Sequence, residues 1–398
     1  MSAVSSSVGA STVLRAPQVS RVLVASQVGR LPLASGPLAL LLFGRQSLSL
    51  TAAGLLVAAY TAAIAVGAPV LARTVDRWRQ PPVLWGSAVL SGLGFLTVAV
   101  SGGELALAVP AAAAAGFGTP PLEACLRALW PDLLPRAAVP AAYALDVALQ
   151  EVIFVAGPLI TLATVALAGP AAGLVAAAVL QLAGTAVFAL APAVRAWRGE
   201  PAPRHWAGPL RAVRFTAMLA GVVCAGAAIG SLPVAVTAYA EAAGARSLSG
   251  WLLAAQAGGA LVGGLLYTRA GAGGRGRLPL LTAAFAAGFL PLLALPGPAW
   301  MALLLAVAGL ALPPVLTAVF TAADRLAPPG TIAEAFAWVI TAFTVGSAAG
   351  AALTGPVAQF RYGFVLAPVA GLAALAVMTA VSLFRRTVDG AGLPGSRP

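Results

Sequence analysis

The sequence contains no lysine and no asparagine, and it has one histidine, two cysteines and eleven acidic residues in 398 positions. His205 lies in a polar stretch without a companion ligand, so no metal centre is expected around it. Cys125 and Cys224 sit inside separate apolar runs, which excludes a disulfide framework or thiolate metal site and makes both small core residues. There is no Walker loop, no Ser-His-Asp set and no His/Asp/Glu cluster, so the expectation is a chain that is not an enzyme and holds no cofactor. Charged residues are 9% of the chain, against about 25% in a soluble domain.

Hydrophobic residues make up 60%, more apolar surface than a water-soluble fold can hide. Apolar runs recur from Val19 to Phe384, each of the ~20 residues needed to cross a ~30 Å hydrocarbon core as a helix. The pattern predicts helices over 20–43, 48–72, 82–101, 105–128, 139–166, 171–191, 212–238, 249–268, 278–296, 299–322, 331–356 and 362–384. The expected fold class is therefore an all-α membrane protein of twelve transmembrane helices, embedded in the lipid bilayer.

All 23 basic residues are arginine, and the formal charge is +12. Such a charge would suit nucleic acid if it lay on one folded surface, but the arginines fall between apolar runs, so no nucleic-acid partner is expected. With the N-terminus in the cytoplasm, nineteen arginines lie in inner segments, three (Arg45, Arg246, Arg361) lie outside, and Arg30 is left within the first span. The positive-inside rule then places both termini in the cytoplasm of a plasma (inner) membrane protein. Residues 1–19, rich in serine and without the basic start of a cleaved signal, are expected to be a disordered cytoplasmic arm. Residues 20–191 and 212–386 would form two six-helix bundles joined by the arginine-rich cytoplasmic linker 192–211, and 387–398 a tail.

The two halves repeat one another. A shift of 193 residues superimposes Gly116, Pro120, Pro121 and Pro135 on Gly309, Pro313, Pro314 and Pro328. Near a shift of 200, Ser47-Leu48-Ser49 meets Ser247-Leu248-Ser249, and Gly157-Pro158 recurs as Gly355-Pro356. Two six-helix pseudo-repeats follow, as in transporters built by duplication. Proline within a span removes an N–H, so helices 1, 4, 5, 7, 10 and 11 are expected to be kinked. The stripes Gly258-Gly259 to Gly263-Gly264 and Gly346 to Gly350 have the spacing of close helix contacts.

After the second span the chain reads Ala72-Arg73-Thr74-Val75-Asp76-Arg77-Trp78-Arg79-Gln80. This resembles the Gly-Arg-Leu-Val-Asp-Arg-x-Gly-x-Arg loop signature of the major facilitator superfamily, with Ala72 and Arg79 where that family favours glycine. Arg127 to Pro135 resembles the arginine-to-proline segment after helix 4, and Gly157-Pro158 resembles part of the antiporter motif of proton-driven exporters, departing from it at Leu159. The likeness covers residues 20–386. It implies the major facilitator fold and a conformational latch in which Asp76, with Arg73 and Arg77, lies near the N-terminus of helix 11. That helix begins Thr331-Ile332-Ala333-Glu334, a capping-box pattern that makes Glu334 a cap.

An ionisable group at the bilayer centre costs about 2.5–3.5 kcal/mol on insertion scales, so each one is a functional candidate. Arg30 in helix 1 and Glu151 in helix 5 fall near mid-depth, with Asp146 a little over one turn nearer the cytoplasm. The resemblance places helices 1 and 5 side by side, so Arg30 is expected to pair with Glu151 or Asp146. Such a pair either orders the N-terminal half or supplies a desolvated carboxylate that exchanges its proton as substrate binds. Glu123 and Arg127, four apart on helix 4, form a candidate intrahelical pair near the inner mouth, structural or gating. Gln27, Gln150, Tyr60, Gln256 and Trp338 are polar residues that line a cavity or join helices.

The expectation is secondary active transport of a small molecule by alternating access, as proton-coupled efflux (an antiporter) by a monomer. Uptake of an anionic solute held by Arg30, or a non-transporting scaffold or sensor, are the alternatives.

Overall fold

The computed structural model describes residues 10–199, 205–245, 248–269, 277–358 and 363–390. Among them all regular structure is helical: α1 (Ala10–Arg15), α2 (Val19–Arg30), α3 (Pro32–Gly44), α4 (Leu50–Arg77), α5 (Gln80–Val100), α6 (Leu105–Phe117), α7 (Leu122–Leu133), α8 (Val139–Ala168), α9 (Pro170–Ala189), α10 (Pro192–Ala196), α11 (Val213–Ala242), α12 (Leu248–Arg269), α13 (Leu278–Phe289), α14 (Pro298–Gly309), α15 (Leu312–Leu326), α16 (Ile332–Ala358) and α17 (Leu366–Gly390). Short 3-10 turns occupy Gly208–Arg211, Leu290–Ala294 and Gly363–Val365. Ten segments are long and apolar enough to cross a membrane, with α6–α7 and α14–α15 each forming one of them. Consecutive α2 and α3 make a further span, and α13 with its 3-10 extension another, which gives twelve.

Proline decides where spans break. Pro120 and Pro121 lack the N–H groups that would reach Gly116 and Phe117, so the ladder stops between α6 and α7. Pro313 and Pro314 interrupt the tenth span between α14 and α15 in the same way. In the first span, Pro32 follows a single residue, Leu31, whose N–H bonds back to the carbonyl of Val28. By contrast, α8, α11 and α16 run unbroken through the lone prolines Pro158, Pro233 and Pro356. A lone proline removes only one ladder bond, which the rest of a long helix tolerates.

The chain divides into two compact units by contact. The first holds α1–α10, the end of α12 from Leu265, and the segment Ala327–Thr341, which contains the opening turns of α16. Inside it α4 packs on α6, α5 on α6 and α9, and α2 and α3 on α9, with α3 also against α8. Ala39, Leu40, Phe43, Leu56, Tyr60, Phe95 and Leu174 form its apolar core. The second unit holds α11, the remainder of α12 and α16, and α13–α15 and α17; there α17 packs on both α11 and α13.

The duplication is visible in backbone contacts. Gly116 of α6 lies against the Tyr60 carbonyl of α4, and Gly309 of α14 lies against the Gln256 carbonyl of α12; a Cβ at either would collide. Gly67 meets the backbone of Phe117 as Gly263 meets that of Leu310, and Gly94 meets Ala115 as Gly288 meets Ala308. Each half has thus kept the same glycine at the same helix crossing. Gly259, Gly346 and Gly350 are likewise closed against the backbones of Ala306, Val223 and Ala227, whereas Gly258 has open space beside it.

One boundary corrects the sequence reading. The segment Arg73–Arg77 is the last part of α4 and not a loop. With Ala72 in place of the glycine that the family signature favours, nothing interrupts the helix before Trp78.

Candidate functional site

Four charged side chains from three helices close a ring in the first unit. Arg30, the last residue of α2, places Nη1 2.7 Å from Asp146 Oδ1 and Nη2 3.4 Å from Glu123 Oε2. Arg127 Nη2 reaches Glu123 Oε1 at 2.5 Å and Asp146 Oδ2 at 2.8 Å. Arg30 also donates to Gln150 Oε1 at 2.7 Å, and Gln27 Nε2 donates to Asp146 Oδ1 at 3.2 Å. The four residues are between 0% and 7% exposed, and their charges cancel.

The helix breaks make this ring possible. Arg30 ends α2 and Glu123 lies in the first turn of α7, so each faces the helix terminus whose partial charge it opposes. Arg30 is ~16 Å along the helix axis from Val19, close to half the hydrocarbon thickness. Without the interruption at Gly118–Pro121, no first-turn carboxylate would exist at that depth.

The ring also decides between the two partners expected for Arg30. Arg30 takes Asp146 and Gln150, one turn apart on α8, and not Glu151. Glu151 lies ~140° around the helix from Asp146, so the two carboxylates cannot face the same guanidinium. Glu151 is half-buried and has no hydrogen bond or ion pair to any described residue. Glu123 and Arg127 do form an (i, i+4) pair, but they belong to the Arg30 network and not to a separate pair at the mouth. That junction is the feature sequence reasoning missed, although the Gly-Thr-Pro-Pro run before Glu123 was its available signal.

Of the uncharged candidates, Tyr60 is fully buried and donates to the Pro32 carbonyl at 3.1 Å, so it satisfies the first-span break. Gln256 is half-buried, and its side chain bonds to no described residue.

A second constellation forms where α4 ends. Asp76 accepts from the backbone N–H groups of Ala333 at 3.0 Å and Glu334 at 2.8 Å, capping α16 from another helix. Arg73 reaches Glu334 Oε1 at 2.5 Å, and Trp338 Nε1–H donates to the same oxygen at 3.3 Å. Arg77 is exposed and joins no ion pair among the described residues. The local capping box is not formed. Thr331 turns its hydroxyl to the Pro328 carbonyl at 2.7 Å, and Glu334 is drawn to Arg73 because a guanidinium is a stronger partner than an amide.

The segment between the halves touches both acids. Gly208 has φ +50°, and a Cβ there would overlap the Glu334 carboxylate; one at Gly199 would overlap the Asp76 carbonyl oxygen. Gly208→Ala is therefore expected to destabilise the protein by at least ~1 kcal/mol through the left-handed backbone alone, with displacement of Glu334 added. Thermal unfolding of the purified protein, with Gly86→Ala as a control where nothing lies within 4 Å, measures it. Equal midpoints for the two variants would remove the contact from the account.

Twelve spans built as two similar halves, with a charge-neutral ring buried inside the hydrocarbon, define a membrane transport protein. A family model described as Major Facilitator Superfamily matches residues 26–351, and the chain belongs to that superfamily. No curated protein matches the sequence. Among solved structures, a bacterial homologue of the iron transporter ferroportin in an outward-facing state is similar, with a TM-score of 0.72, 14% identity, and coverage of 92% of this chain and 99% of that one. The human organic anion transporter MFSD10 (TETRAN) gives a TM-score of 0.67 at 16% identity, covering 93% of this chain and 99% of the other. These likenesses establish the fold.

Proposed function

We propose that the protein is a secondary active carrier that works by alternating access and couples export of a small molecule to proton entry, with Glu151 as the carboxylate that exchanges the proton. The observation that supports this reading is the contrast on α8: Asp146 is locked by two arginines, while Glu151, five residues on, is half-buried without a partner among the described residues. A carboxylate already neutralised by fixed cations has little to gain from a proton, whereas an unpaired one taken partly out of water does. The ring then holds α2, α7 and α8 in register, and the Asp76–α16 contact serves as the latch released during the cycle. Arg30 is a poor anion holder because Asp146 and Glu123 already match its charge, which disfavours uptake of an anionic solute.

The test is a toxicity and uptake panel in cells with and without the gene, repeated after the proton gradient is collapsed. Resistance that depends on the gene, on the gradient and on Glu151 is expected; gene-dependent resistance that survives collapse of the gradient refutes the coupling. Orientation has its own test. With Cys125 and Cys224 replaced by alanine, a cysteine at position 205 should react with an impermeant maleimide only after the cells are opened. Labelling from outside would invert the topology.

A further inference from the structure

We infer that the transported compound is a monovalent organic cation that binds at Glu151 and competes there with the proton; the inference rests on the carrier reading above. The charge distribution within the spans carries it. In the first unit the buried ring sums to zero, which leaves Glu151 at mid-span as a charge unmatched by any described residue. Helices α11 to α16 carry their charged residues only in terminal turns: Arg214, Glu241, Arg269, Asp324, Arg325 and Glu334. A desolvated site with one net negative charge favours a cation and repels an anion.

The neighbours of Glu151 narrow the class. A bare metal ion needs several ligands, and no group of three or more His, Cys, Asp or Glu able to hold one occurs among the described residues. Phe154 is 52% exposed and lies three residues on, on the same side of α8. A carboxylate beside an exposed ring suits an ammonium or phosphonium carrying apolar groups. The face of α8 that carries Phe154 also carries Tyr143, ~16 Å from Phe154 toward the helix start, whose ring meets Phe336 of α16 at 5.8 Å. Glu151 therefore borders a face that is already covered by protein at that end.

Few other groups can titrate with it. On the elements packed against α8, the charged residues are Arg30, Glu123 and Arg127 of the ring, the exposed Arg15, Arg21 and Asp132, and, on α16, Glu334 held by Arg73. Helices α3 and α9 carry none. On α8 itself stand Asp146, held in the ring, and the Tyr143 phenol.

The experiment is equilibrium binding of tetraphenylphosphonium, and separately of benzoate, to the purified full chain in detergent between pH 5 and 8. Tetraphenylphosphonium should bind in preference to benzoate, weaken by up to tenfold for each unit of falling pH where one proton competes, and release one proton per cation bound. Glu151→Gln should weaken it at least tenfold and flatten the pH dependence, while Glu151→Asp keeps the slope and carries the comparison if the glutamine variant does not fold. Binding that is unchanged in Glu151→Gln, or benzoate in preference to the phosphonium, overturns the assignment. Proton-driven transport of an anion would sink the cation site and leave the carrier reading standing. A phosphonium site with the stated behaviour, in a protein that moves nothing on a pH gradient, would do the reverse.

Discussion

Asp146→Asn is expected to deplete the folded protein from the membrane, and Arg127→Gln to do the same. Each substitution removes one of four fully buried charges and leaves the remaining three unbalanced in a site from which water is excluded. Breaking a buried pair costs about 3–5 kcal/mol, a large part of the ~5–15 kcal/mol that holds a folded domain together. Arg30→Gln combined with Asp146→Asn restores neutrality and keeps the Arg127–Glu123 pair, so abundance and thermal midpoint should return most of the way. Arg30→Gln combined with Glu151→Gln should rescue nothing, because Glu151 is no partner of Arg30. Abundance by immunoblot and midpoints in detergent read all four variants. Equal rescue by the two double substitutions would mean that the ring is not the unit of stability.

Asp76→Asn should loosen the start of α16. The aspartate accepts two backbone N–H groups with its two oxygens, and an asparagine has one oxygen to offer. Hydrogen bonds to a charged group contribute about 1.5–3 kcal/mol, so exchange of the Ala333 and Glu334 amides should quicken by roughly ten- to a hundredfold. Hydrogen–deuterium exchange over residues 331–338 measures this, with the middle of α5 as an internal reference. Rates equal to the parent protein would show that another group caps the helix. Arg73→Gln should have a smaller effect, since Arg73 is 30% exposed and binds Glu334 from the solvent side.

The fold was largely written in composition. Apolar runs set the span count, glycine and proline at a fixed offset announced the duplication, and the same glycines turn out to be the crossings of α4 with α6 and of α12 with α14. The contact between Asp76 and the start of α16 was implied by the resemblance of Ala72–Gln80 to the family's loop signature. What the sequence could not show was angle. Depth along α8 put Glu151 level with Arg30 and Asp146 a little over one turn nearer the cytoplasm, which left either as its partner, and only the turn of the helix decides between them. Nor did local pattern reveal that Glu334 abandons the capping box for Arg73, because that choice depends on a residue 261 positions away.

The most direct measurement of the central claim uses the protein reconstituted in vesicles with a pH-reporting dye inside. A compound to which the gene confers resistance is added across an imposed pH gradient, and proton movement is followed. The parent protein should move protons when the compound is added, and Glu151→Gln, reconstituted in equal amount, should not, even where the compound is raised to offset its weaker binding. Proton movement of parental size in Glu151→Gln would contradict the account and place coupling on another group.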